Sequence, residues 1–146
     1  VLHNTALIAS LVSWGIAQGI KFIWPILLRR EINFRRLVET GGMPSAHTAF
    51  VSALATTVSF KEGWDSPIFA LAVVFSLVVM YDATGIRQAA GKQAAILNRI
   101  VDDLYHDVPL KPQYLRELLG HTPFEVFVGA ILGFWVGWAF CGYPPL

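Results

Sequence analysis

The chain has 146 residues, of which 55% are hydrophobic and 14% charged; an ordinary soluble domain carries about 25% charged residues, so composition argues against a water-soluble globule and for a bilayer protein. Eleven basic against ten acidic residues leave a net charge of +1, which removes the electrostatic case for a nucleic-acid partner. One domain, residues 1–146, suits the length. The single cysteine, Cys141, cannot form an intrachain disulfide, and with four scattered histidines it offers no zinc spacing, so no metal and no cofactor is expected.

Four stretches approach the ~20 apolar residues that a membrane-spanning helix needs. The first runs from Thr5 to Leu28, broken only by Gln18 and Lys21. No basic segment precedes it and no small-residue cleavage site follows, so it reads as part of the mature protein. The second, Ala46 to Phe60, is short and rich in Ala, Ser and Thr, a composition suited to close packing inside a bundle. The third, Pro67 to Gly85, follows two candidate N-caps, Asp65 and Ser66, with Pro at the first helical position. Residues 87 to 104 then place apolar and charged side chains on opposite helix faces, predicting an amphipathic helix continuing the third span. Pro109 and Pro112 break the chain, and Gly120 reads as the C-cap of a short helix over Tyr114 to Leu119. The fourth span, Pro123 to Cys141, carries Gly129, Gly133 and Gly137 on one face, for close contact within the bundle or between copies in a homo-oligomer. The expected fold is an all-α membrane bundle of four spans plus one amphipathic helix.

Alternating crossings bring Lys21, the segment Gly41 to His47, Asp82, Arg87 and His121 to one membrane face. A charge at membrane depth costs roughly 2.5 to 3.5 kcal/mol, so Lys21 either contacts an anion or snorkels to the interface. Gly41-Gly42-Met43-Pro44 leads into the amides of Ser45 to His47 at a helix start, where anions bind; the plainer alternative is a turn beside an interfacial histidine. A second corner sets His121 at a helix mouth with Glu125 four residues on, able to accept the imidazole N–H and fix its tautomer. Thr122-Pro123-Phe124-Glu125 also fits a capping box, and the two roles of Glu125 compete in this reading. Two helix-mouth histidines, with Lys21, Arg87 and a glycine-rich loop, suit phosphoryl transfer: one imidazole attacks phosphorus, the other protonates the leaving oxygen, and cations hold the developing charge. His3 and His106 read as solvated, Asp102 and Asp103 as surface partners of Arg99, and Arg29-Arg30 and Arg35-Arg36 as juxtamembrane anchors.

The segments Gly41 to His47 (GGMPSAH), Tyr81 to Arg87 (YDATGIR) and Leu119 to Val126 (LGHTPFEV) together resemble the divergent branch of the type 2 phosphatidic acid phosphatase superfamily, which is related to acid phosphatases and vanadium-dependent haloperoxidases. Pro44-Ser45-Ala46-His47 is similar to the parent P-S-G-H motif with Ala for Gly, and His121-x3-Glu125 to the parent H-x3-D with Glu for Asp. The resemblance implies that His121 is the nucleophile, His47 the general acid and Glu125 the partner of His121. It departs at the cations. The parent K-x6-R-P puts Leu28 where Arg is expected after Lys21, and the third motif puts Leu115 where its Arg is expected, with Arg29 and Arg116 each one place late. Arg87 is the preferred replacement and Arg35 the second; Ser45 and Gly42 would join the phosphate cradle, and Asp82 would position Arg87 or Lys21.

The expected activity is hydrolysis of a lipid phosphate through phosphohistidine, with phosphatidylglycerol phosphate or phosphatidate as substrate. Alternatives are a prenyl phosphate or diphosphate, a small transporter, or a structural membrane protein. Lys and Arg crowd the face of His47 and His121, whereas Lys61 stands alone opposite, which predicts a cytoplasmic active face.

Overall fold

The computed structural model describes residues 3–29, 42–104 and 120–142. Among them are five α-helices and no strand: α1 (Thr5–Arg29), α2 (Ala46–Glu62), α3 (Pro67–Thr84), α4 (Ile86–Leu104) and α5 (Pro123–Gly142). Their starts follow local chemistry. Leu7 N donates to Asn4 Oδ1 at 3.0 Å, and of the two candidate caps for α3 it is Ser66, not Asp65, that accepts from Phe69 N, so Pro67 falls at N1, where its missing N–H is harmless. Gly85 alone separates α3 from α4, and helical bonding runs through it from Gly85 N to Tyr81 O and from Ala89 N to Gly85 O. The amphipathic helix therefore does continue the third span.

α2 is the centre of the bundle, with α1, α3 and α5 all packed against it. Its neighbours lean on its backbone: Ser13 Oγ of α1 donates to Ala49 O at 3.0 Å, Ser76 Oγ of α3 to Val51 O at 3.0 Å, and Cys141 Sγ of α5 to Thr57 O at 3.8 Å. Thr57 and Ser59 return their own hydroxyls to Ala53 O and Thr56 O. Hydroxyls buried in this way satisfy themselves without charge, which is how a helix can be polar in sequence and central in a bilayer protein.

The expectation of four spans is met in part. Among the described residues, three helices are long and apolar enough to cross a membrane, Thr5–Trp24, the rod Pro67–Asp102 and Pro123–Gly142. α2 has 17 residues, about 26 Å at 1.5 Å per residue, and its Ser and Thr content lowers its apolarity because it faces helices rather than lipid. The exposed large side chains sit where lipid would be, including Leu71, Val74 and Val78 of α3 and Phe127, Trp135 and Trp138 of α5. The short helix expected over Tyr114 to Leu119, His106 and the Arg35-Arg36 pair lie outside the described residues.

Whether the glycine stripe of α5 works within the bundle or between chains is decided by packing. A Cβ on Gly129 would stand 2.5 Å from Ser45 O, one on Gly137 would stand 2.8 Å from Ala53 O, and one on Gly133 would collide with Ala49 O and Ser52 Cβ. The stripe therefore lies on α2 of its own chain, glycine against the Ser45, Ala49, Ala53 row. Gly133→Ala is expected to lower stability by about 1 to 3 kcal/mol, the usual cost of overpacking, because backbone atoms cannot move aside. Thermal melting of purified protein in detergent measures it, and an unchanged melting temperature would remove this contact from the fold.

Candidate active site

The first corner is the start of α2. Gly42 takes φ 80°, a left-handed conformation that glycine adopts at little cost, and the chain bends through Pro44 into the cap. Ser45 is fully buried; its hydroxyl accepts from Thr48 N at 3.4 Å and from Thr48 Oγ1 at 3.0 Å. Its own N–H donates to Glu125 O at 3.0 Å. Ser45 thus caps α2 and ties it to the first turn of α5, which takes its amide out of the expected phosphate cradle. The physical reason is the approach of α5: with glycine at position 129, the Glu125 carbonyl comes within reach of the Ser45 amide.

The second corner is the start of α5. His121 is 1% exposed, and its backbone N–H donates to Ala83 O at 2.9 Å, so the last turn of α3 holds it. Nδ1 of His121 lies 3.1 Å from Glu125 Oε2. The same oxygen accepts from Thr122 N at 3.0 Å, while Glu125 N donates to Thr122 Oγ1 at 3.3 Å. Both capping-box bonds are present together with the histidine contact, so the competition expected between the two roles of Glu125 does not arise. A carboxylate oxygen accepts more than one hydrogen bond, and reaching back to the amide that joins residues 121 and 122 carries it beside the His121 ring. The carboxylate also sits at a helix N-terminus, where the macrodipole favours negative charge.

The two corners meet. The rings of His47 and His121 are 6.3 Å apart between centroids, inclined at 60°. Lys21 is 8% exposed and interacts electrostatically with Glu125; a snorkelling lysine would instead lie along the lipid surface, and this one is inside the bundle. Asp82 is half-buried in the last turn of α3, beside the Ala83 carbonyl that holds His121. Of the expected site residues, the fold thus brings His47, His121, Glu125, Ser45 and Lys21 to one end of the bundle, with Asp82 one residue from Ala83. Gly42 stands at the bend leading into Ser45. Arg87 has its backbone in the first turn of α4, and Arg35 lies outside the described residues. The Ala83 carbonyl was missed in the sequence because a backbone acceptor carries no side-chain signature.

A family model described as the Divergent PAP2 family matches residues 2–136. The uncharacterized membrane protein YuiD of Bacillus subtilis (strain 168) is 40% identical over 144 residues, covering 91% of each chain. No solved structure matches the chain. A family match over nearly the whole length, and a relative matched over 91% of each chain, leave one conclusion: this chain is a membrane protein of the Divergent PAP2 family.

Proposed function

We propose that the protein is a membrane phosphatase that removes phosphate from a lipid phosphomonoester through a phosphohistidine on His121. The observation that carries this reading is the His121 Nδ1 to Glu125 Oε2 contact at 3.1 Å with a second imidazole, His47, 6.3 Å away between ring centroids. A carboxylate on Nδ1 holds that nitrogen as the N–H donor and leaves Nε2 as the nucleophilic nitrogen. Nε2 attacks phosphorus, the bond from phosphorus to the ester oxygen breaks, and His47 gives its proton to the departing alcohol. Water then attacks the phosphohistidine, His47 takes the proton that water loses, and inorganic phosphate leaves with Nε2 restored. Lys21 supplies positive charge at this end of the bundle, and Arg87 and Arg35 are the candidates to complete the clamp on the phosphoryl oxygens.

The reaction uses no metal or cofactor in this reading. Phosphate release from phosphatidylglycerol phosphate or phosphatidate by the purified protein tests it; the activity should survive EDTA and disappear in His121→Ala. Activity lost to EDTA and restored by Mg²⁺ would overturn the metal-free route.

α2 is the fourth crossing in this proposal, which sets His47 and His121 at the membrane face where Lys and Arg accumulate, the cytoplasmic one by the positive-inside rule. Single cysteines replacing Met43 and Glu62, both exposed and at opposite ends of the bundle, report this in a Cys141→Ser background. In intact cells an impermeant maleimide is expected to label position 62 and spare position 43. The reverse pattern would turn the protein over and favour an outward-facing prenyl diphosphate as substrate.

A further inference from the structure

α1 and α3 both pack on α2 but, among the described residues, not on each other. The gap between them is a lengthwise cleft with α2 as its floor. Next to the candidate site it holds a cavity of about 380 Å³, bounded by Leu11 and Trp14 of α1, His47, Phe50 and Val51 of α2, and Phe75 and Val79 of α3. Toward the opposite face it holds a second cavity of about 600 Å³, reached past Leu54 and Val58 and ending at Lys61 and Glu62. Phe50 lines both. Each volume falls within the range of small-molecule sites.

The dimensions and chemistry of this cleft suit one occupant. Its near chamber is apolar except for His47, the histidine 6.3 Å from His121, so a molecule seated there has an alkyl body and presents a polar end to the imidazoles. From His47 to Lys61 the floor is 14 residues long by numbering, about 21 Å of helix, whereas Phe50 stands less than one turn from His47. A long chain entering from the site therefore has to pass Phe50. We propose that the α1/α3 cleft receives the hydrocarbon chain of the phosphorylated lipid, and that Phe50 divides it and sets which chain lengths are used. The proposal rests on the phosphatase reading for the position of the head, and on the cleft itself for the tail.

The test uses n-alkyl phosphates from methyl to dodecyl, kept below their micelle concentrations. In the wild-type protein kcat/KM is expected to climb about 4-fold per methylene, the ~0.8 kcal/mol of a buried CH₂, until the chain reaches Phe50, and then to flatten. Phe50→Ala should move that break to longer chains and Phe50→Trp to shorter ones. Phosphate release with a flat chain-length profile, or a break that neither variant moves, would overturn the cleft assignment and leave the phosphatase standing. A second arm does not depend on turnover. An alkyl phosphate with a diazirine at its tail is cross-linked to the protein in nanodiscs and the adducts are mapped. Adducts at Trp14, Phe50, Leu54 or Phe75 that an alkyl phosphate competes away, and an alkanol of equal length does not, support the assignment even if hydrolysis fails. Adducts spread over Leu71 and Trp138 on the lipid-facing surfaces, indifferent to the phosphate head, would make the occupant ordinary bilayer lipid and overturn it.

Discussion

His121→Ala and His47→Ala are each expected to lower phosphate release from a lipid phosphate by at least ~10² to 10⁴, the usual worth of a positioned acid or base. The two losses should differ in kind because the proposed roles differ. Without the nucleophile no phosphoenzyme forms from any substrate. Without the acid, an aryl phosphate, whose leaving oxygen needs no proton, should still phosphorylate His121, and the phosphoenzyme should accumulate because His47 is also needed to activate water. Rapid acid-free quenching with labelled substrate separates the cases: label retained in His47→Ala and absent in His121→Ala is the expected pattern. Equal trapping in both variants would exchange or remove the roles. Neither substitution should unfold the chain through lost helix bonding, since what anchors the site is backbone: His121 N to Ala83 O and Ser45 N to Glu125 O.

The second large effect belongs to Glu125. One oxygen serves both the His121 ring and the Thr122 amide, so substitutions can separate catalysis from capping. Glu125→Gln retains an amide oxygen that can accept from Thr122 N, yet it carries no charge to stabilise an imidazolium. The expected result is a fall in kcat of ~10² or more with a melting temperature close to wild type. Thr122→Ala removes the hydroxyl that accepts from Glu125 N at 3.3 Å and leaves the carboxylate on His121. It should cost ~0.5 to 2 kcal/mol of stability with most of the turnover kept. Near-normal turnover in Glu125→Gln would reduce the residue to its capping role. Measuring both variants for both properties also shows whether the bonds are as separable as the geometry makes them, since neighbours in one network do not generally add.

Much of this molecule is legible along the chain because its determinants are local. Helix starts are set within four residues, as at Ser66-Pro67 and at Thr122 through Glu125, where capping chemistry and proline geometry need no tertiary partner. Hydrocarbon length is also local, which is why α1, α3 and α5 are readable as spans, and the helical spacing of apolar and charged residues in α4 is local in the same way. The His121 and Glu125 pair belongs to the same class, since a spacing of four on a helix start brings the side chains together before any packing occurs.

Tertiary structure decided everything that depends on another helix. The place of α2 at the centre could not be measured from its own modest apolarity; it follows from hydroxyls of α1 and α3 reaching its carbonyls and from glycines of α5 lying on its small residues. Ser45 reads in sequence as part of an anion cradle, and only the arrival of the Glu125 carbonyl shows that its amide is engaged in joining two helices. The 6.3 Å approach of His47 to His121 spans 74 positions of sequence, and the cleft divided by Phe50 exists because α1 and α3 share α2 as a neighbour and, among the described residues, do not pack on each other. Periodicity and capping are properties of a segment and are written in it; the meeting of two segments is a property of the gap between them, and close packing fixes that gap only when every helix is in place.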